Sequence, residues 1–144
     1  MDRALRALRA ALPDDWTLVL RPHPVERATA ARRHADVLAA GGVVLDVSHD
    51  GGAALASSRA VIGFSSTMLF EALAYGCHTA VIESSLAEHY AAADIFPTRI
   101  DRELTRVPDA AQGFLHTPTT VEQGLADSVW KPGAVAAFRR FAAA

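Results

Sequence analysis

The 144-residue sequence is poor in cysteine, lysine and aromatic residues, and each shortage excludes something. Cys77 stands alone, so there is no disulfide framework and no cysteine-rich zinc site. Aromatic residues make up 7% of the chain, and no apolar run reaches the ~18 residues from which a membrane-spanning helix is built. Met1-Asp2-Arg3 places charge where a secretory leader would be apolar, so a cytoplasmic location is the expectation. Net charge is −2, which leaves no bulk basic field for nucleic acid or anionic lipid. Lys131 is the only lysine against thirteen arginines. Together with the many alanines, this bias reads as GC-rich coding and carries no phosphate-binding claim.

Several nucleotide and catalytic signatures are also missing. There is no Gly-x-Gly-x-x-Gly and no Gly-Lys-Ser/Thr loop, which disfavours ordinary dinucleotide and Walker-type binding. Gly63-Phe64-Ser65-Ser66-Thr67 lacks the second glycine of a nucleophile elbow. The six histidines are not spaced as metal ligands.

What is present is a chain with 51% hydrophobic residues, long enough to bury a core. Leu5, Leu8 and Leu12 recur at helical spacing, with Asp2 as an N-cap and Pro13 as a stop. Trp16 to Leu20 is a first strand, ended by Arg21-Pro22-His23-Pro24 because proline cannot join a sheet ladder. A helix from Glu26 to Ala40 closes on Gly41-Gly42, and Val43 to Val47 is the second strand. Asp50 caps a short helix to about Ser58, and Ala60 to Phe64 is the third strand. A helix from Met68 to Tyr75 ends at Gly76, and Thr79 to Ile82 is the fourth strand. A helix from about Ser85 to Ala93 and a short fifth strand from Thr98 to Ile100 follow. Thr120 and Gln123 form a capping box before a helix from Val121 to Trp130, and Val135, Phe138 and Phe141 mark a last amphipathic turn.

Strands without strict alternation, separated by helices, indicate a parallel sheet covered on both faces. The expected fold is α/β: one domain over residues 1–144, a Rossmann-like, doubly wound parallel sheet of four or five strands with helices on both faces.

In such sheets ligands bind beyond the carboxyl ends of the strands. The exits are Arg21 to Pro24, Ser48-His49-Asp50, Ser65-Ser66-Thr67 and Glu83-Ser84-Ser85, all polar. Ser65-Ser66-Thr67 puts three hydroxyls at a helix start, where free N–H groups favour an anion; an ordinary N-cap explains the same residues. His23, fixed between two prolines, suits a hydrogen bond to phosphate or a proton for a leaving group; a turn histidine at the rim is the alternative. Glu71 is the one charge on an otherwise apolar helix and needs partners, for which ribose hydroxyls, a backbone group or an arginine would serve. His49 and His89 are weaker candidates, and His34, His78 and His116 read as surface or turn residues.

Glu71-Ala72-Leu73-Ala74-Tyr75-Gly76, with the strand Thr79 to Ile82 after it, resembles the Glu-Ala-x-Ala-x-Gly helix and next strand in the C-terminal donor-binding domain of GT-B glycosyltransferases. The likeness spans Trp16 to Ser85. Retaining members carry a second glutamate eight residues earlier, where this chain has Gly63, which argues against that branch. His23-Pro24 and Ser65-Ser66, after the first and third strands, are similar to the paired motifs of bacterial sialyltransferases, capsule polysaccharide transferases and CDP-glycerol glycerophosphotransferases.

That resemblance implies a CMP- or CDP-linked sugar or polyol donor used in making cell-surface polysaccharide. It places Arg21, Ser65, Ser66 and Thr67 on the donor phosphate, Glu71 on the ribose, and His23 at the leaving group, with no metal and no cofactor. The acceptor base would come from an N-terminal domain or partner chain, so the chain alone is expected to bind donor weakly or not to turn over. The family's C-terminal half opens with a strand that would precede Met1. The expected strand order is therefore second-first-third-fourth, with the first and third strands adjacent or the slot between them left open, and His23 and Ser65-Ser66 flank the switch point either way. Two further readings stay open: a truncated or non-catalytic docking and oligomerising module, and a sugar-nucleotide epimerase-like half, which the Ser-Ser motif disfavours.

Overall fold

Leucines and alanines three and four apart give the first helix, α1 (Asp2–Ala11), one apolar face, and Ala4, Leu5 and Leu8 are buried along it. The structure, a computed structural model, describes residues 1–85, 87 and 95–117. The chain divides into two compact units, Met1–His49 and Asp50–Ala144.

In the first unit, β1 (Leu18–Leu20) and β2 (Val43–Leu45) pair in parallel, Leu18 with Val43 and Leu20 with Leu45. Between them run a 3-10 turn (Pro24–Glu26), α2 (Arg27–Arg33) and α3 (Ala35–Ala39). Leu5, Leu20, Val37 and Val43 form the core, flanked by Leu18, Leu38 and Leu45. Asp2 is not the N-cap expected of it: Met1 holds that position, and the Asp2 carboxylate instead pairs with Nδ1 of His34. His34, expected at the surface or in a turn, stands at a turn but not at the surface. It is buried where the anticipated single helix breaks into α2 and α3. The unit closes α3 with consecutive left-handed residues, Gly41 (φ 82°) and Gly42 (φ 75°), a conformation in which a side chain is strained.

The second unit begins with α4 (Gly51–Ala56), capped by Asp50, whose Oδ1 accepts from the Ala53 N–H at 2.8 Å. β3 (Ala60–Gly63), β4 (His78–Ile82) and β5 (Arg99–Ile100) form a parallel sheet in that order, with Gly63 opposite Val81 and Val81 opposite Arg99. The crossover helix α5 (Thr67–Tyr75) ends at Gly76, left-handed at φ 72°. Leu69, Leu73, Val81, Ala87 and Phe96 make one core cluster, and Leu55, Ala72 and Cys77 another. Phe70 meets Phe96 edge to face, ring centroids 4.9 Å apart.

A helix with no counterpart in the sequence reading, α6 (Val107–His116), packs with Val107, Ala110, Ala111 and Phe114 buried. The anticipated helices over Ser85 to Ala93 and Val121 to Trp130, and the turn through Phe138, lie wholly or largely outside the described residues. Four of the strands are shorter than expected, β4 begins one residue earlier, and they fall into two ladders, β1-β2 and β3-β4-β5. Coverage also differs from expectation in the first unit. Val19 and Val44 are register partners on one face and are 48% and 53% exposed. Among the described residues no helix is long and apolar enough to cross a membrane.

Candidate functional site

The carboxyl ends of β1 and β2 hold Arg21 and Asp46, which form an ion pair. Arg21 also donates from Nη1 to Ser48 Oγ (3.1 Å) and from Nη2 to the Ser48 carbonyl (3.0 Å). The Ser48 hydroxyl, then its N–H, and then Arg21 hold the Asp46 carboxyl below its ordinary value of 3.8. Arg21, expected on a donor phosphate, therefore already has its charge countered and pins the loop after β2. Asp46, which the sequence reading had placed inside the strand, is what engages it. An acidic residue closing an apolar run of valine and leucine was the available signal.

His23 stands at the start of the 3-10 turn, and its Nδ1 accepts the Val25 N–H at 3.4 Å. In the neutral ring the proton then sits on Nε2, which is exposed and free of partners among the described residues. That is the arrangement of a hydrogen-bond donor. His49 is occupied by Nη1 of Arg27, 2.6 Å away.

In the second unit, the turn after β3 delivers Ser65, Ser66 and Thr67 to the amino end of α5. Ser66 is the N-cap: its Oγ accepts the Met68 N–H at 3.2 Å. Capping thus uses one of the three hydroxyls. Those of Ser65 and Thr67 make no hydrogen bond among the described residues. Glu71 lies one turn along from Thr67 on the same side of the helix. It is half-buried, and no described residue pairs with its carboxylate. No backbone group or arginine among the described residues satisfies Glu71.

Gly63 faces inward. A Cβ built on it would lie 3.4 Å from Cδ1 of Leu69, an ordinary contact, so this position faces α5 rather than a ligand and has room for a methyl group. At the same sheet edge Ser84 caps the next turn, its Oγ accepting the Ala87 N–H at 3.0 Å, and Glu83 lies 4.0 Å from Arg99. Asp101, just beyond β5, accepts from the Thr105 hydroxyl (2.6 Å) and the Arg106 N–H (2.9 Å), and these bonds lower its pKa. It braces the turn that carries Leu104 at φ 66°. His78 is no plain turn residue: it stacks on Phe114 (centroids 5.9 Å apart), and its Nε2 lies 2.9 Å from the Thr117 carbonyl. His116 contacts Gln112, and His89 is outside the described residues.

No group of three or more His, Cys, Asp or Glu able to hold a metal occurs among the described residues. No family model, no curated protein and no solved structure matches the chain.

Proposed function

We propose that the chain is the donor-nucleotide-binding part of a GT-B-like glycosyltransferase, on a Rossmann-like framework, with a CMP- or CDP-linked donor. The observation that carries this reading is Glu71: a half-buried residue whose carboxylate has no protein partner among the described residues, one turn from the unused hydroxyl of Thr67. Its oxygens are open to solvent and to a ligand, and vicinal ribose hydroxyls would satisfy both of them. The hydroxyls of Ser65 and Thr67 suit the adjacent phosphate, because they are donors at the positive end of a nine-residue helix.

The chemistry would be direct displacement, with charge on the departing nucleotide stabilised by these donors, and the motif resemblance gives His23 a hydrogen bond from Nε2–H to the leaving group. The acceptor base belongs to an N-terminal domain or partner chain. A role in cell-surface polysaccharide follows from the same motif resemblance.

Calorimetry with CMP, CDP and UDP tests this. A cytidine nucleotide should bind, Ser65→Ala should weaken it about tenfold, and Glu71→Gln should weaken the nucleotide but not inorganic pyrophosphate. No heat at millimolar nucleotide rejects the reading. A second reading, a docking and oligomerising module, is favoured by the exposed Val19-Val44 pair. Self-association in sedimentation without nucleotide heat would select it.

A further inference from the structure

In the first unit two segments leave the carboxyl edge of one ladder. The turn after β1 runs through His23 into α2, and Asp46 to His49 follow β2. His49 is the last residue of the unit, so what holds it holds the segment from which the chain runs on to Asp50. Two arginines do so. Arg21, paired with Asp46, grips the hydroxyl and carbonyl of Ser48. Arg27, the first residue of α2, reaches His49, its Nη1 lying 2.6 Å from Nδ1.

The two grips differ in chemistry. A guanidinium keeps its proton throughout and has no acceptor, so Arg27 is the donor and Nδ1 of His49 must be bare. The contact therefore exists only with the neutral ring. A proton on Nδ1 removes the acceptor and sets a second cation against the first. The carboxylates next to these residues in sequence are engaged elsewhere: Glu26 with Arg33, Asp46 with Arg21, and Asp50 with the Ala53 N–H. Of the unit's other imidazoles, His23 accepts the Val25 N–H and His34 pairs with Asp2. Arg27 has no second polar side-chain partner among the described residues, and its Nε is buried without one. The Arg21 grip behaves differently. The Asp46 carboxyl is held below its ordinary value of 3.8, so this grip persists wherever an imidazole is taking up its proton.

We infer that the Arg27–His49 contact is a pH-operated anchor on the segment after β2, made while His49 is neutral and released when the ring is protonated. It is independent of the donor-site reading, and its test needs no nucleotide. Backbone 15N relaxation on the whole chain is measured at about pH 8 and about pH 5, with the β4 amides as the sign that the fold is intact. The His49 amide order parameter should fall from about 0.85 to below about 0.6 on acidification, while that of Ser48 stays high. In His49→Asn the new Oδ1 stands where Nδ1 stood and takes up no proton, so the value should stay high at both pH values. Arg27→Ala should show the low value at both. His23→Asn should respond as the parent chain does, which excludes the other imidazole at this edge. A His49 order parameter that does not change with pH, or a fall of the same size in His49→Asn, would overturn the inference.

Discussion

β1 with β2, and β4, are built from similar short apolar runs, yet they are buried differently. Thr79 to Ile82 is buried on both faces of the central strand of its sheet. Val19 and Val44, mid-strand in the first unit, leave about half their surface open. β-branched side chains favour an extended backbone whether or not anything covers them, so the run specifies the strand and not its neighbours. The two units are accordingly held by different forces. The second rests on apolar burial, with Ala72, Ala74, Ala80, Val81, Phe96 and Ile100 all at 0% exposure. The first has a smaller apolar set and adds side chains that tie strands and turns together: Arg9, Arg21 with Asp46, and Asp2 with His34.

The largest effect should come from the second unit's core. Phe96→Ala removes a fully buried ring and its edge-to-face partner and should cost about 3–5 kcal/mol. Hydrogen exchange should show β4 amides losing protection while β1 amides keep theirs. Equal loss in both would mean that the chain unfolds as one body and that the two-force distinction has no thermodynamic content.

A smaller effect should come from Arg9, which donates to the carbonyls of Leu12 (2.7 Å), Pro13 and Trp16 and so gathers the turn between α1 and β1. Arg9→Ala leaves these partly buried acceptors without their donor and should cost about 1–3 kcal/mol, read as lost exchange protection in the first unit only. Arg9→Lys should not restore it, because a single ammonium lacks the planar fork that reaches three carbonyls. Full recovery with lysine would show that charge, and not the geometry of the turn, is what the first unit needs.

Periodicity and punctuation made most of the secondary structure legible. Gly76 and Asp50 marked the end and start of helices because a left-handed residue and an Asx cap are local demands that neighbours do not alter. Ser66 as a cap was equally local, whereas the freedom of Ser65 and the isolation of Glu71 depend on which side chains come near, and the sequence is silent on that. α6 was legible but unread: Val107, Ala110, Ala111 and Phe114 have helical spacing, and Pro108 suits a first turn. The break at His34 was not legible, since nothing in Arg33-His34-Ala35 stops a helix, and the pairing of His34 with Asp2 comes from 32 residues away. The role of Arg21 was hidden for the same reason, its partners lying 25 and 27 residues on.

The smallest effect, and the one that separates the units without cutting a contact, is pH. Cys77 is buried and directs its thiol to the carbonyls of Ser58 (3.3 Å) and Leu55 (3.4 Å), and burial pushes the thiol above its ordinary value of 9.0. The folded chain therefore holds that proton more tightly than the unfolded one. This contribution is complete below 9.0 and is lost as pH rises from there through the raised value. Acid cannot discriminate in this way, because Asp46 in the first unit and Asp101 in the second are both lowered, and each loses its contribution as pH falls from 3.8 through its lowered value. On the alkaline side, thermal unfolding followed by circular dichroism should show a midpoint that falls as pH passes 9.0, and Cys77→Ala should flatten the fall. An identical alkaline fall in Cys77→Ala would place the titrating group elsewhere and leave the thiol a mere space-filler between α4 and α5.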